Sequence, residues 1–141
     1  MKGYKILVKP TNKLSQKEWS DYIYAFNSIF EKSFDLKYFK NKYLLNALGF
    51  SAHGILYFKD KIVGMVTVIP NLYIINKNKE LIGLTCDSFI LKTHRTNEGF
   101  LKDMSLKVYD FLKKYNINRH ISLPNSIAYP YWKYFVKWKD I

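Results

Sequence analysis

Hydrophobic and polar positions change period several times along this chain, and the changes mark out its elements. Residues 4–8 alternate as a short strand, ended by Pro10. Ser15-Gln16-Lys17-Glu18 has the form of a capping box, in which the serine oxygen and the glutamate carboxylate satisfy orphan amides at a helix start. Trp19, Tyr22, Ile23, Phe26, Ile29 and Phe30 then recur at helical spacing and share one face. A second helix is expected over 36–48, stopped by Gly49. The middle reads as β-structure: 53–58 and 62–69 flank a turn at Lys59-Asp60-Lys61, and 71–75 and 81–91 flank another at Asn76-Lys77-Asn78-Lys79. The pattern returns to helical spacing over 99–115, burying Leu101, Met104, Val108, Phe111 and Leu112. A strand over 119–123, an exit at Pro124-Asn125 and a short helix over 130–136 complete the chain. The order β-α-α-β-β-β-α-β-α predicts an α+β (mixed α/β) fold. Its centre is a mostly antiparallel twisted sheet with helices on both faces, in one domain spanning 1–141.

Composition narrows the function classes. Apolar residues make up 48% and aromatics 18%, which excludes a disordered chain. No apolar run is long enough to cross a bilayer and the first residues lack a signal-peptide core, so no membrane partner is expected. The single cysteine, Cys86, precludes an internal disulfide and fits a cytoplasmic location. A net charge of +12 invites an anionic partner. Only Arg95 and Arg119 carry the bidentate fork that dominates specific base and phosphate recognition, so nucleic acid is disfavoured against a phosphorylated small molecule.

The chemistry concentrates at Cys86 to Phe100, Cys-Asp-Ser-Phe-Ile-Leu-Lys-Thr-His-Arg-Thr-Asn-Glu-Gly-Phe. An apolar strand runs through a polar turn into an amphipathic helix, a junction that offers free amides and a positive dipole end to phosphate. The plainer alternative is that Gly99 eases a turn while Asn97 caps an ordinary helix. Cys86 with His53, His94 or His120 makes a poor nucleophile pair, because the adjacent Asp87 disfavours the thiolate. The histidines lack zinc spacing, and neither a phosphate-binding Gly-x-x-x-x-Gly-Lys loop nor a Gly-x-Ser-x-Gly elbow is present; no metal is expected. The run Tyr129, Tyr131, Trp132, Tyr134, Phe135 and Trp138 reads as a terminal helix burying aromatics rather than a platform for stacking bases.

Element order, the run Leu91 to Phe100, and Pro124-Asn125-Ser126-Ile127-Ala128-Tyr129-Pro130 followed by Trp132, Phe135 and Lys137-Trp138 together resemble the GNAT acyl-CoA N-acyltransferases. In that family a strand ends shortly before Arg-Gly-x-Gly-x opens the main helix, and Pro-Asn with Tyr-Pro follows downstream. The chain departs from the pattern at four places, one of them Lys137, which stands where the family has a glycine before Trp138. Thr96 stands where the family has arginine, Asn97 replaces the first glycine, and Glu98 puts a carboxylate beside the pyrophosphate position. The resemblance implies acetyl-CoA as acyl donor, an amine as acceptor and N-acetyl transfer as the reaction. It implies backbone contacts from Phe89 and Leu91 to the pantetheine arm. The phosphate cradle would be Arg95, Thr96, Asn97, Glu98, Gly99 and Phe100, and Asn125 would orient the donor. Asp87 is the implied base, with Tyr129 or Tyr131 as proton donor to the leaving thiolate. The family also adds strands beyond this point, which raises the expectation of a homo-oligomer or a partner completing the sheet edge. A GNAT-like module without catalysis, acting through its basic surface on nucleic acid or protein, is the alternative.

Overall fold

The capping box forms as its residues require: Glu18 N–H donates to Ser15 Oγ at 3.1 Å, and Ser15 N–H donates to Glu18 Oε2 at 2.8 Å. It opens helix α1, Gln16–Phe30, in a computed structural model that describes residues 2–97 and 99–140. The other elements are strand β1 (Tyr4–Pro10), helix α2 (Leu36–Leu44), strands β2 (Ala52–Phe58), β3 (Lys61–Ile75) and β4 (Asn78–Ile90), helix α3 (Gly99–Leu112) and strand β5 (His120–Ser122). A π-helical turn, Tyr131–Phe135, follows where a short α-helix is expected from the sequence.

The five strands lie in chain order, β1-β2-β3-β4-β5, antiparallel except that β5 runs parallel to β4. This is the mixed, mostly antiparallel sheet that the hydrophobic pattern predicts. Trp19, Tyr22 and Phe26 of α1 and Phe39 and Tyr43 of α2 cover one face, against Ile55, Met65 and Phe89. The opposite face holds α3, whose Phe100 and Met104 meet Leu56, Val66 and Ile90, while Val108 and Leu112 meet Ala52 and Val68. Contact on that face is close. A Cβ on Gly54 would stand 2.7 Å from the Met104 carbonyl oxygen, so only glycine lets α3 settle there.

Three boundaries differ from the expected ones, each for a local reason. Helix α2 stops at Leu44 rather than 48, because Asn46 diverts the chain: its side chain donates to Tyr43 O at 2.8 Å and accepts from Leu48 N–H at 3.0 Å. Strand β3 runs unbroken through Pro70. Strand β2 ends opposite Val68, so a residue without an amide hydrogen forfeits no bond on that side. The second hairpin turn shrinks to Asn76-Lys77, both at positive φ (50° and 67°), and Lys59-Asp60 at the first turn does the same (49° and 62°). Both are the two-residue primed geometry that matches strand twist.

Candidate functional site

Strand β4 carries the site because its pairing fails twice over a few residues. On the β3 side, Thr67 stands opposite Cys86 and Met65 opposite Phe89, so Val66 alone faces both Asp87 and Ser88. This is a β-bulge, and Asp87 takes the left-handed conformation within it at φ 50°. On the other side β5 pairs only Gly83 to Thr85, with the last bridge at Thr85–Ser122. From Cys86 to Ile90 β4 keeps β3 on one edge and, among the described residues, has no strand on the other.

A cleft of about 910 Å³ opens along that free edge. Phe89, Arg95, Asn97 and Asn125, all expected from the sequence as donor-binding residues, line it. So do Ser88, Leu101, Ala128 and Tyr131. Leu91, expected as a backbone contact, donates its N–H to Val63 O at 2.8 Å and so closes the β3–β4 ladder. Phe100 is buried against Tyr4, with ring centroids 4.9 Å apart. A larger groove of about 1190 Å³ runs between α1 and α2, and none of the expected site residues lines it.

The mouth of α3 is already furnished with acceptors. Gly99 N–H donates to Asn97 Oδ1 at 2.8 Å, Phe100 N–H to Asn97 O at 3.3 Å, and Lys102 N–H to the Tyr131 hydroxyl at 3.2 Å. Arg95 is exposed and donates from Nε to Ile90 O at 2.8 Å, which holds its guanidinium beside the end of β4. Thr96 is exposed in the same turn. Glu98, expected to set a carboxylate here, lies outside the described residues.

Asp87 faces α2. Lys42 Nζ sits 2.7 Å from its Oδ2 and 2.9 Å from Oδ1, and Tyr43 donates to Oδ2 at 2.5 Å. The Tyr22 hydroxyl donates in turn to that of Tyr43. Burial, reinforced by neighbouring charge, holds both tyrosine hydroxyls well above the usual range, so they stay protonated donors. Burial opposes the charge on Lys42, but Asp87 outweighs it and holds the ammonium above its ordinary pKa. The Cys86 thiol is pushed far up by burial and then by Asp87, which leaves it a thiol and no nucleophile. The sequence had marked Asp87 but not its partners. The available signal was a lysine and a tyrosine side by side on α2, with Phe39 four residues earlier completing a buried face.

Tyr129 lies at the rim. It donates to Asp140 Oδ1 at 2.7 Å and accepts from Lys133 at 2.9 Å, and it does not line the cleft, although its neighbours Ala128, Pro130 and Tyr131 do. Among the described residues no group of three or more His, Cys, Asp or Glu is placed to hold a metal ion, and no helix is long and apolar enough to cross a membrane.

Neither a scan of protein-family models nor a sequence search of curated proteins finds a match. Solved structures do. A predicted acetyltransferase from Clostridium acetobutylicum, solved with acetyl-CoA, is similar over 97% of this chain and 92% of its own, with a TM-score of 0.73 at 17% identity. AAC(6')-Iy, solved with the bisubstrate analogue CoA-S-monomethyl-acetylneamine, is similar over 96% and 92%, with a TM-score of 0.72 at 11% identity. A GCN5-related N-acetyltransferase from Ralstonia eutropha covers 97% and 94%, with a TM-score of 0.67 at 10% identity. At such identities the likeness concerns the fold, and the fold of this chain is that of the GNAT acyl-CoA N-acyltransferases.

Proposed function

We propose that this chain is an acyl-CoA-dependent N-acyltransferase that moves an acetyl group from acetyl-CoA to an amine. The observation that carries the reading is the parting of β4 from β5 after Thr85–Ser122, with a cleft along the exposed edge of β4. The residues there fit a CoA thioester. A strand edge with one neighbour suits an extended, amide-bearing pantetheine arm, which pairs as an added strand does. At the mouth of α3, Asn97 and Tyr131 supply oxygens to amides that a diphosphate would otherwise take. Exchange of one set of acceptors for the other conserves hydrogen bonds, and the N-terminal dipole and Arg95 favour the charged set.

Bound there, the donor supplies an acyl group activated as a thioester. Asp87, one residue from the cleft-lining Ser88, takes the proton of the acceptor's ammonium. Of the two tyrosines expected as proton donors, Tyr131 is the better placed because it lines the cleft, whereas Tyr129 is engaged with Lys133 and Asp140. Asn125, which also lines the cleft, orients the donor. Calorimetric titration with CoA and with acetyl-CoA tests the reading. Saturable heat with one site per chain is expected, and its absence at millimolar CoA would overturn it in favour of a non-catalytic module.

A further inference from the structure

We propose that Lys42 is a self-acylation site: its Nζ is the amine this chain modifies when no other acceptor fills the seat on the β4 bulge. The inference rests on the transferase reading above and identifies one acceptor of that same site.

The seat is built for a primary alkylammonium. Asp87 offers both oxygens, at 2.7 and 2.9 Å from Lys42 Nζ, and Tyr43 fixes the carboxylate from the other side at 2.5 Å. Rings flank the cation, with the centroids of Tyr38 and Tyr43 each 5.9 Å from Nζ. Carboxylate and Lys42 side chain are 12% and 28% exposed, so the pair is shielded compared with Lys17–Asp21 or Lys113–Asp110, whose lysines are 67% and 65% exposed. The seat also adjoins the cleft. Asp87 is followed by Ser88 and Phe89, which line it, and the bulge turns these successive residues out of simple alternation. Lys42 and Asp87 themselves do not line the cleft, but Asp87 belongs to the stretch of β4 that β5 leaves unpaired and is one residue from the cleft-lining Ser88. On the transferase reading, Lys42 Nζ sits on the carboxylate that would take the acceptor's proton.

The step balances without any further reagent. Asp87 takes a proton from the Lys42 ammonium, and the freed Nζ lone pair attacks the thioester carbonyl carbon. The N–C bond forms, the C–S bond breaks, and the electron pair leaves on the CoA thiolate. The second proton lost from nitrogen goes to that thiolate through Tyr131 or water. The product is an uncharged amide whose N–H still donates to Asp87.

The full-length chain is incubated with acetyl-CoA, digested and mapped by mass spectrometry over time, with CoA binding followed by calorimetry in parallel. Lys42 is expected to gain its acetyl group at least about tenfold faster than the exposed lysines, as a positioned nucleophile beside a base does. Acetic anhydride, a donor that needs no cleft, should give the reverse order, with the paired Lys42 last. Lys42→Arg, which keeps the ion pair and is checked for folding by circular dichroism, should lose the fast product with no other lysine replacing it. CoA binding with lysines modified in order of exposure overturns self-acylation alone. No CoA binding overturns the transferase reading and this inference together.

Discussion

Glu18 joins a helix start to the sheet through one carboxylate. Besides the Ser15 amide it accepts from Lys9 Nζ at 2.6 Å and from the Tyr57 hydroxyl at 2.6 Å. Burial works against its charge, but these donors outweigh burial and bring its pKa from 4.5 down to about 2. A folded-state value below the unfolded one means the contribution is complete above pH 4.5 and is lost as pH falls towards 2. Glu18→Gln should therefore flatten the melting temperature against pH over that window while lowering it at neutral pH, as thermal melts from pH 2 to 7 would record. His53 acts in a higher window. Burial alone draws its pKa from 6.5 to about 3, so the ring is neutral between Thr11, 2.8 Å from Nε2, and Thr67, 2.9 Å from Nδ1. Its stabilisation is complete above pH 6.5 and falls away below it; His120, drawn to about 4 by burial, adds to the same slope. Thr67→Val keeps the shape and strands Nδ1, at a cost of about 1–3 kcal/mol measurable by urea unfolding. A cost near zero would mean that water or a shifted threonine replaces the lost partner.

Elements in this chain are set by short-range chemistry where they were legible and by neighbours where they were not. The capping box, the helical faces of α1 and α3 and the places of both hairpins, though not the two-residue length of their turns, could be read directly, because each is specified by residues close in sequence. The continuity of β3 through Pro70 could not, since it depends on where β2 ends. Nor could the bulge at Asp87, which is a mismatch of two strands and leaves no mark in either alone. The first turn allows a direct test. Asp60 sits at φ 62° with its side chain 93% exposed, so Asp60→Gly removes left-handed strain and only a loose 4.0 Å contact with Lys5. A gain of about 0.5–1 kcal/mol is expected in chemical unfolding. Gly54→Ala works in the opposite direction. Its new methyl would meet the Met104 carbonyl at 2.7 Å and Val108 Cγ2 at 2.8 Å, so α3 must lift from the sheet. A loss of about 1–3 kcal/mol is expected, and an unchanged melting temperature would contradict the packing described.

For the molecule as a whole, the candidate site is a consequence of topology rather than of any motif. The sheet is covered by α1 and α2 on one face and α3 on the other, and a parallel β5 meets β4 for only three residues before the chain turns away. That early parting leaves a strand edge, a helix mouth and a ring of apolar side chains facing one cleft, which is why Phe89, Arg95, Asn97 and Asn125 come together although 36 residues of sequence separate the first from the last. The same topology leaves the far end of the β3–β4 hairpin outside the site, with Leu72 and Ile74 exposed. Ligand binding and general stabilisation therefore have different signatures in amide hydrogen exchange. A CoA molecule pairing with the free edge and the helix mouth should slow exchange within residues 86–90 and 99–102 and leave 71–82 unchanged. A ligand held only by the chain's net charge of +12 would protect no particular strand and would be released by moderate salt. Protection confined to the hairpin, or spread evenly over the sheet, would place CoA elsewhere and remove the argument that the parted strands form its site.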